Sequence, residues 1–268
     1  MILRPPFIPS VLPEIHAYHT FIKASGSSIK METLQALDRF VRDCYNAGIW
    51  SSFIEVYPFC GDNLAGAMSK LKNYAIAPAC TAVNFVESDY TERGANGGIA
   101  GNGSTKYIDT NFSADNLPAN AHISIYLRED VSVTSYQIGV TNNAVSQIAG
   151  IAHNGGVSTV GLLGAVSGAT EVVAPMAKGF YQIERQSATS LTLYRNNASI
   201  GTTAANIVPA YPAINIYTLA RNLQGTGAAN YTNKRISFAS IGLPMSNTER
   251  LAFYNAVTAL QTSLNRNV

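Results

Sequence analysis

Three acidic side chains lie close together in the sequence at a spacing that could support cleavage of a glycosidic bond. Glu87, Asp89 and Glu92 form the pattern E-x-D-x-x-E. Retaining glycoside hydrolysis uses two carboxyl groups that flank the scissile bond, one as nucleophile and one as general acid and base. A strand that presents these acids to a cleft must carry apolar residues between them, on its core-facing side. The chemistry therefore depends on whether this segment is such a strand.

The residues around the acids favour a solvated loop. Ser88, Tyr90 and Thr91 stand between the acids, where a catalytic strand needs apolar side chains. The glycine-rich run 93–98 follows directly and is typical of a loop. No tryptophan accompanies the motif to stack on a sugar ring. We therefore predict no catalytic residues and interpret the chain as non-enzymatic, with a family-16-like glycoside hydrolase as a disfavoured alternative.

The cysteines and histidines form no recognisable metal-ligand array. The cysteines have no C-x-x-C spacing, and the histidines stand at no fixed distance from them. These residues are Cys44, Cys60 and Cys80, and His16, His19, His122 and His153. We predict no metal or other cofactor, and we interpret the cysteines as reduced, partly buried apolar groups.

Two further segments resemble ligand-binding loops only superficially. Asp109, Asp115 and Asp130 lie near turns and could ligate calcium, but the alternating oxygen spacing of a dedicated loop is missing. The glycine-rich run 97–103 does not join a strand to a helix, which argues against a phosphate cradle. We interpret all of these residues as turn formers.

Composition narrows the class of protein. Of the 268 residues only 13% are charged, and the formal net charge is +2. No cluster of Lys and Arg provides the positive surface that a phosphate backbone requires, so nucleic acid is not an expected partner. No apolar run reaches the roughly 20 residues that span a bilayer, and the N-terminus lacks the features of a signal peptide. We expect a protein made in the cytoplasm without a membrane partner.

Residues 1–28 are predicted to form an irregular, apolar N-terminal arm. Pro5, Pro6, Pro9 and Pro13 are four of the eleven prolines in the chain, and each removes a backbone donor. The apolar side chains among them are unlike those of a disordered tail. The arm is expected to dock on a neighbouring subunit or, alternatively, to pack on its own domain.

Two amphipathic helices are predicted outside the strand-rich region. Residues 29–48 carry apolar side chains at three- and four-residue steps, and an extended apolar segment follows, with Trp50 as a core anchor rather than a sugar platform. The segment 29–84 is expected to pack on or lead into a β-sandwich. Near the end of the chain, Ser246 and Glu249 form a capping box that starts a second helix. The apolar face predicted for this helix contains Leu251, Tyr254, Val257, Leu260 and Leu264.

Residues 85–268 read as a β-sandwich closed by that helix. Short β-rich runs alternate with turn residues about every ten positions, and no helical period interrupts them, which favours an antiparallel sandwich over parallel βαβ units. The predicted strands are residues 106–109, 122–128, 136–140, 147–151, 179–185, 190–195, 214–220 and 235–240.

An ordered series of short motifs resembles one known family. The run 47–62 (AGIWSSFIEVYPFCGD), which follows an amphipathic helix, is similar to the opening of concanavalin A-like, LamG-type proteins of bacteriophages and prophages. Further similar stretches occur in the same order. They are residues 101–110 (GNGSTKYIDT), 120–126 (NAHISIY), 179–181 (GFY), 235–242 (RISFASIG) and 261–266 (QTSLNR). The resemblance covers residues 30–268 and implies a mainly β, concanavalin A-like jelly-roll sandwich.

The same resemblance implies a structural role in a virion, as a tail or fibre component or a capsid decoration protein. Other virion proteins, a homo-oligomeric partner and a host surface glycan are then the expected partners. A glycan-binding adhesin module is the alternative, with tyrosines such as Tyr90, Tyr126 or Tyr136 as stacking surfaces. The chain has fourteen tyrosines, and the sequence singles out none of them.

Overall fold

A computed structural model describes residues 11–72, 79–145, 147–154, 158–165, 169–172, 176–203 and 210–268. Within these residues the chain forms a β-sandwich with helices at both of its ends. In chain order the elements are α1 (Pro13–Ala24), α2 (Met31–Asn46), β1 (Phe53–Tyr57), α3 (Leu64–Ala67), β2 (Thr81–Val83), β3 (Tyr90–Thr91), β4 (Gly98–Ala100), β5 (Tyr107–Ser113), β6 (Ala121–Leu127), β7 (Ser135–Asn142), β8 (Gln147–Asn154), β9 (Ser158–Ala165), β10 (Ala169–Val172), β11 (Gly179–Ser187), β12 (Ser190–Arg195), β13 (Ala198–Thr203), β14 (Asn215–Thr218), β15 (Arg221–Leu223), β16 (Gly227–Ala229), β17 (Arg235–Gly242) and α4 (Asn247–Ser263).

The strands form two sheets. In the described part of the chain, the first has eight strands in the order β13-β12-β11-β6-β17-β4-β3, with β1 also paired to β17. The second has nine strands in the order β10-β9-β8-β7-β14-β5-β2, and β15 and β16 extend it beside β7. Nearly all pairs are antiparallel, and β15 runs parallel to β7. This arrangement confirms the predicted mainly β, jelly-roll-like sandwich.

The main core lies between the two sheets. Ile123, Ile125 and Leu127 of β6 point into it, and Ile151 of β8 and Leu163 of β9 meet them from the other sheet. The alternate side chains of β6 point to the opposite face of the eight-stranded sheet and are buried as well. The eight-stranded sheet therefore needs cover on both faces.

A helical layer provides that cover. Helices α1, α2 and α4 form a second hydrophobic cluster with the outer side chains of the eight-stranded sheet. Its centre is aromatic, with Phe253 of α4 packed edge-on against Phe53 at 4.8 Å and Phe180 at 5.2 Å between ring centroids. Trp50, which is 7% exposed, belongs to the same layer and confirms the prediction of a core anchor. In the described residues, no helix is long and apolar enough to cross a membrane.

The N-terminal segment corrects one prediction. Instead of irregular backbone, it contains helix α1, which begins at Pro13. A proline in the first turn of a helix removes only an N–H group that would have no helical partner, so Pro13 starts the helix rather than breaking it. Ile15, Tyr18 and Ile22 are fully buried in the helical layer, so α1 packs on its own chain. Pro5, Pro6 and Pro9 lie outside the described residues.

Both amphipathic helices predicted from the sequence are present. Helix α2 ends just before Gly48, whose φ of +73° suits glycine. The predicted capping box starts α4, because the Glu249 amide donates to Ser246 Oγ at 3.4 Å and the Ser246 amide donates to Glu249 Oε2 at 2.7 Å. The predicted apolar face is partly wrong, since Leu251 is 46% exposed and Phe253 occupies the buried position instead.

All eight predicted strands overlap an observed strand, and several others were missed. The missed strands include β9, β10 and β13, and the strands of two or three residues, which are β2, β3, β4, β15 and β16. In β9 the sequence STVGLLGA places apolar residues on both faces and glycines between them, so it shows no simple alternation. Strands of only two or three residues carry too little pattern to be read from a single sequence.

The C-terminal residues close the structure through a buried arginine. Arg266 has no exposed surface, and its guanidinium donates to Gln261 Oε1 at 3.0 Å, to the carbonyl of Phe59 at 2.9 Å and to that of Pro58 at 3.2 Å. Its aliphatic stem lies on Gly97, where a Cβ atom would stand 2.5 Å from Arg266 Cγ. One side chain thus joins the tail, the end of β1 and the loop before β4.

We expect Arg266→Met to destabilise the protein strongly. Methionine keeps much of the aliphatic packing but leaves the buried acceptors without donors, at about 1–3 kcal/mol for each group. Urea denaturation should show a loss of roughly 3 kcal/mol or more. The control Arg39→Met changes an exposed arginine of α2 and should alter the free energy of unfolding by less than about 0.5 kcal/mol. Equal stability of the two variants would contradict this role.

A buried histidine gives the helical layer a pH dependence. His122 of β6 lies between Phe53 and Phe253, at 5.9 Å from each ring. Its Nδ1 donates to the carbonyl of Leu243 at 2.7 Å, so in the neutral ring Nε2 accepts from Ser240 Oγ at 3.0 Å. Burial lowers the pKa of His122 from 6.5 to about 4, although the bond to Leu243 acts in the opposite direction.

We expect His122 to reduce stability as the pH falls from about 6.5 to about 4. In this window the unfolded chain binds a proton that the folded chain excludes, so the free energy of unfolding declines by up to about 3 kcal/mol. The comparison is with His122→Asn, which can still donate to Leu243 but does not titrate. The difference between the two proteins, measured by denaturation at several pH values, should follow this course. A difference that does not change with pH would exclude His122 as its source.

Candidate functional site

The acidic motif does not form a strand with three acids on one face. Glu87 and Asp89 lie in a 3₁₀ turn, and Glu92 follows β3. Glu87 accepts the Leu64 amide at 2.9 Å, at the start of α3. Asp89 forms an ion pair with Lys106 at 2.6 Å. These two acids therefore stabilise local backbone and side-chain structure.

Glu92 corrects the prediction that all three acids are solvated. It is only 8% exposed, and its Oε1 accepts the amide of Gly61 at 3.1 Å. Burial raises the pKa of Glu92 above its usual range. Glu87 and Glu92 border the same polar cavity of about 310 Å³, which also contains the cations Lys30 and Arg93. The acids thus share a cavity without the strand arrangement that the motif would need.

The candidate metal ligands are dispersed. Cys44, Cys60 and Cys80 are all buried free thiols, and burial raises the pKa of Cys60 to about 11 and that of Cys80 to about 12. The predicted small, buried role of the cysteines is therefore confirmed. Among the described residues, no three His, Cys, Asp or Glu side chains are grouped so that they could hold a metal ion.

The three aspartates that could have bound calcium have local partners. Asp109 accepts the amide of Asn111 at 2.7 Å. Asp115 accepts the hydroxyl of Ser113 at 2.5 Å, and Asp130 accepts the amide of Lys178 at 2.7 Å. Asp115 bonds two positions away at a turn, as the sequence predicted. Asp109 lies within β5, and Asp130 bonds to a residue 48 positions along the chain, so neither of these two is a simple turn former.

The three tyrosines proposed as stacking surfaces differ in exposure. Tyr90 is 6% exposed and donates its hydroxyl to the carbonyl of Gly61 at 2.7 Å. Tyr126 is 2% exposed and donates to Asn267 at 2.6 Å. Tyr136 is half-buried, on β7 in the nine-stranded sheet. Of the three, only Tyr136 presents a ring to solvent.

Tyr136 borders a groove of about 340 Å³ on the outer face of the nine-stranded sheet. Along β8, Ala149 and Ile151 point into the core, so Ile148 and Ala152 point to the outer face. Val160 and Leu162 of β9 join them there. Ile148, Val160 and Leu162 form a small apolar cluster with Tyr136 packed against it, and this cluster is the floor of the groove.

Two glycines keep the groove next to Tyr136 open. Gly139 of β7 lies beneath the tyrosine ring, and a Cβ atom there would stand 2.6 Å from Tyr136 Cδ1. Gly150, paired with Gly139 across the two strands, has φ of +152°, and a Cβ atom there would lie 2.7 Å from Gly139 Cα. Side chains at either position would displace the ring or the strand backbone.

Polar groups line the sides of the groove. Thr134, Asn154 and Asn230 contribute uncharged side chains, and Arg221 lies over the Tyr136 ring at 5.3 Å from its centroid. The Arg221 Nε is buried and has no hydrogen-bond partner among the described residues. His153 is 1% exposed, and neither of its ring nitrogens has a partner in the described part of the chain. Among the described groove residues, Arg221 and His153 therefore have buried nitrogens that form no internal hydrogen bond.

A second group of tyrosines lies on and beside the same sheet, with Tyr107 on β5, Tyr217 on the neighbouring β14 and Tyr231 in the loop between β16 and β17. The rings of Tyr107 and Tyr217 stack at 4.5 Å, and Tyr231 lies 6.4 Å from Tyr107. All three are half-buried. Tyr217 pairs with Gly139, the residue beneath Tyr136. An aromatic surface therefore continues from the groove across the sheet.

Sequence reasoning named Tyr136 but did not find the groove. It considered His153 only as a metal ligand and did not consider Arg221. The available signal was the run 147–152 (QIAGIA), because apolar residues on both faces of a strand mark an apolar surface opposite the core.

Two solved structures share this fold. One is the binding domain of botulinum neurotoxin serotype D, with a TM-score of 0.52 at 12% identity over 76% of this chain and 52% of that chain. The other is domain 4 of AbnA, a GH43 extracellular arabinanase from Geobacillus stearothermophilus, in complex with arabinotriose. Its TM-score is 0.53 at 10% identity over 75% of this chain and 98% of that chain. This chain spans about half of the toxin chain and nearly all of the arabinanase domain.

At these identities the similarity shows the fold alone. No protein-family model and no curated protein matches the chain. The chain is thus a jelly-roll-like β-sandwich, a fold that it shares with these two domains. The finer assignment to a LamG-type phage family stays a prediction from the sequence motifs.

Proposed function

We propose that this protein is a carbohydrate-binding β-sandwich that holds sugar rings in the groove beside Tyr136. The observation that supports the proposal is a half-buried aromatic ring between an apolar floor and polar side chains, of which Arg221 and His153 have nitrogens without a partner among the described residues. Ligand sites in proteins combine an apolar lining with a small number of placed hydrogen-bonding groups. The groove has both components.

The chemistry of a sugar ring matches this combination. One face of a pyranose presents C–H groups that pack against an aromatic ring, and the hydroxyls at its edge need donors and acceptors in the plane of the ring. Tyr136 supplies a rigid apolar surface. Asn154 and Asn230 each offer an amide that both donates and accepts. The groove can therefore satisfy the apolar face and the polar edge of one ring together.

The surrounding surface favours an oligosaccharide over a single sugar. A volume of about 340 Å³ is at the small end of ligand cavities. Tyr107, Tyr217 and Tyr231 then extend the aromatic surface along the sheet. Further rings of a glycan would pack there, so affinity should rise with chain length.

The comparisons support this proposal in a limited way. Domain 4 of the arabinanase is in complex with arabinotriose, and its whole length shares this fold. A shared fold does not determine a function, so the argument for this chain depends on the groove.

A virion role remains the prediction that the sequence motifs support. It is compatible with glycan binding, since a sandwich displayed on a particle can recognise a host surface. The docking of the arm, residues 1–28, on another virion subunit also stays a prediction; residues 1–10 of it lie outside the described residues.

We expect Tyr136→Ala to weaken glycan binding by tenfold or more. The loss of the stacking surface should remove about 1.4 kcal/mol or more of binding free energy, which corresponds to this factor. A glycan array would first identify a bound oligosaccharide, and calorimetry would then give its affinity for the wild type and each variant. Tyr136→Phe keeps the ring and should bind within about threefold of the wild type, a change of about 0.6 kcal/mol.

The matched control is Tyr45→Ala. Tyr45 is 44% exposed and lies on α2, in the helical layer that covers the other sheet. Its removal should leave binding unchanged. An array without any bound glycan, or a Tyr136→Ala variant with wild-type affinity, would refute the proposed function.

A further inference from the structure

We infer that the groove beside Tyr136 selects a sugar that carries a carboxylate, with Arg221 as the group that recognises it. This inference rests on the proposed carbohydrate-binding function and specifies its ligand class. It starts from the charges around the groove. Among the described residues, the titratable groups that border it are Arg221, His153 and Tyr136, and no Asp or Glu does so.

Arg221 differs from the other buried or half-buried arginines of the protein in what it contacts. Arg250 forms an ion pair with Glu184 at 2.9 Å, and Arg93 forms one with Glu32 at 2.8 Å. Arg266 donates to a side-chain amide and two carbonyls. Arg221, like Arg250, lies over a tyrosine ring and has a buried Nε without a partner, but it forms no ion pair and no side-chain hydrogen bond with a described residue. Its guanidinium therefore has hydrogen-bonding capacity that the fold does not use.

Guanidinium groups bind carboxylates through two parallel N–H···O bonds, which are stronger than bonds to neutral hydroxyls. Contact with the Tyr136 ring restricts the side chain, so less entropy is lost when a ligand binds. The tyrosine and the arginine would thus engage the ring and the carboxylate of one acidic sugar.

The described acids do not neutralise this site. Asp109 of β5 already accepts hydrogen bonds from Asn111 and Asn215. No ion pair of the described residues includes Arg221. A positive charge at Arg221 therefore remains for the ligand.

Two sugar classes share this chemistry, namely uronic acids and sialic acids. The experiment compares glucuronate with glucose, galacturonate with galactose, and N-acetylneuraminic acid with its methyl ester, each titrated into the full chain by NMR. In each pair the sugar ring is the same, and the negatively charged carboxylate is replaced by a neutral group. We expect at least one acid to bind tenfold or more tightly than its neutral partner, and the pair that shows this identifies the class. Its binding should also weaken as NaCl is added.

Variants of Arg221 test the assignment. Arg221→Gln should abolish the preference for the acid while the neutral sugar binds as before, and Arg221→Lys should keep part of the preference because it retains charge without the planar fork. Arg39→Gln makes the same change of charge on α2 and should have no effect. A thermal unfolding curve for each variant confirms that the fold is intact.

The outcomes separate this inference from the proposed function. If neutral sugars bind as tightly as their acids and Tyr136→Ala abolishes binding, the inference is wrong and the proposed function stands. If an acid is preferred but Arg221→Gln leaves the preference unchanged, Arg221 is not the recognising group and the inference is also wrong. If no sugar binds in any pair and the glycan array is empty, the proposed function itself fails.

Discussion

The closure of the eight-stranded sheet on both faces is the constraint on which the rest of the structure depends. Its strands bury side chains on both sides, so helices from the two ends of the chain must be held over it. The fully buried guanidinium of Arg266 makes this connection, because it donates to carbonyls at the end of β1 while Gln261 of α4 accepts from it and from Ser237 of β17. No carboxylate neutralises it in the described residues. A charge delocalised over the planar group is satisfied by neutral oxygens alone, which fixes the tail in one position.

The same constraint explains why the other sheet can carry a binding surface. The three longer helices cover one face of the eight-stranded sheet, and the nine-stranded sheet covers the other. The outer face of the nine-stranded sheet is therefore not needed to cover the eight-stranded sheet. Its side chains form only a small separate cluster around Ile148, Val160 and Leu162. Gly139 and Gly150 lower the surface between that cluster and Tyr217. The two large hydrophobic clusters thus lie in the core and in the helical layer, and the groove lies on a face that has only a small cluster.

The sequence predicted the parts of this fold that are governed by local rules. The 3.6-residue period located α2, the Ser246 and Glu249 pair located α4, and period-two alternation located the strands between turns. It failed where a longer-range contact decided the outcome. Proline content suggested an irregular arm, yet Pro13 starts a helix whose side chains are buried by residues far along the chain. Glu92 looked solvated because nothing nearby in sequence shows that Gly61 donates to it from a separate loop. The groove combines β7, β8, β9 and β15, and no single segment reveals it.

Most of the motifs on which the predicted resemblance to a phage family rests have a structural role in this fold. Trp50 anchors the helical layer, Gln261 and Arg266 close the tail, and Ser237 bonds to Gln261. None of these residues borders the groove. Tyr107 belongs to a shared stretch and lies on the groove side of the sheet, but Tyr136 and Arg221 belong to none. Specificity should therefore vary among proteins that keep the motifs, because the groove can change its charge and aromatic residues without disturbing the contacts that hold the fold.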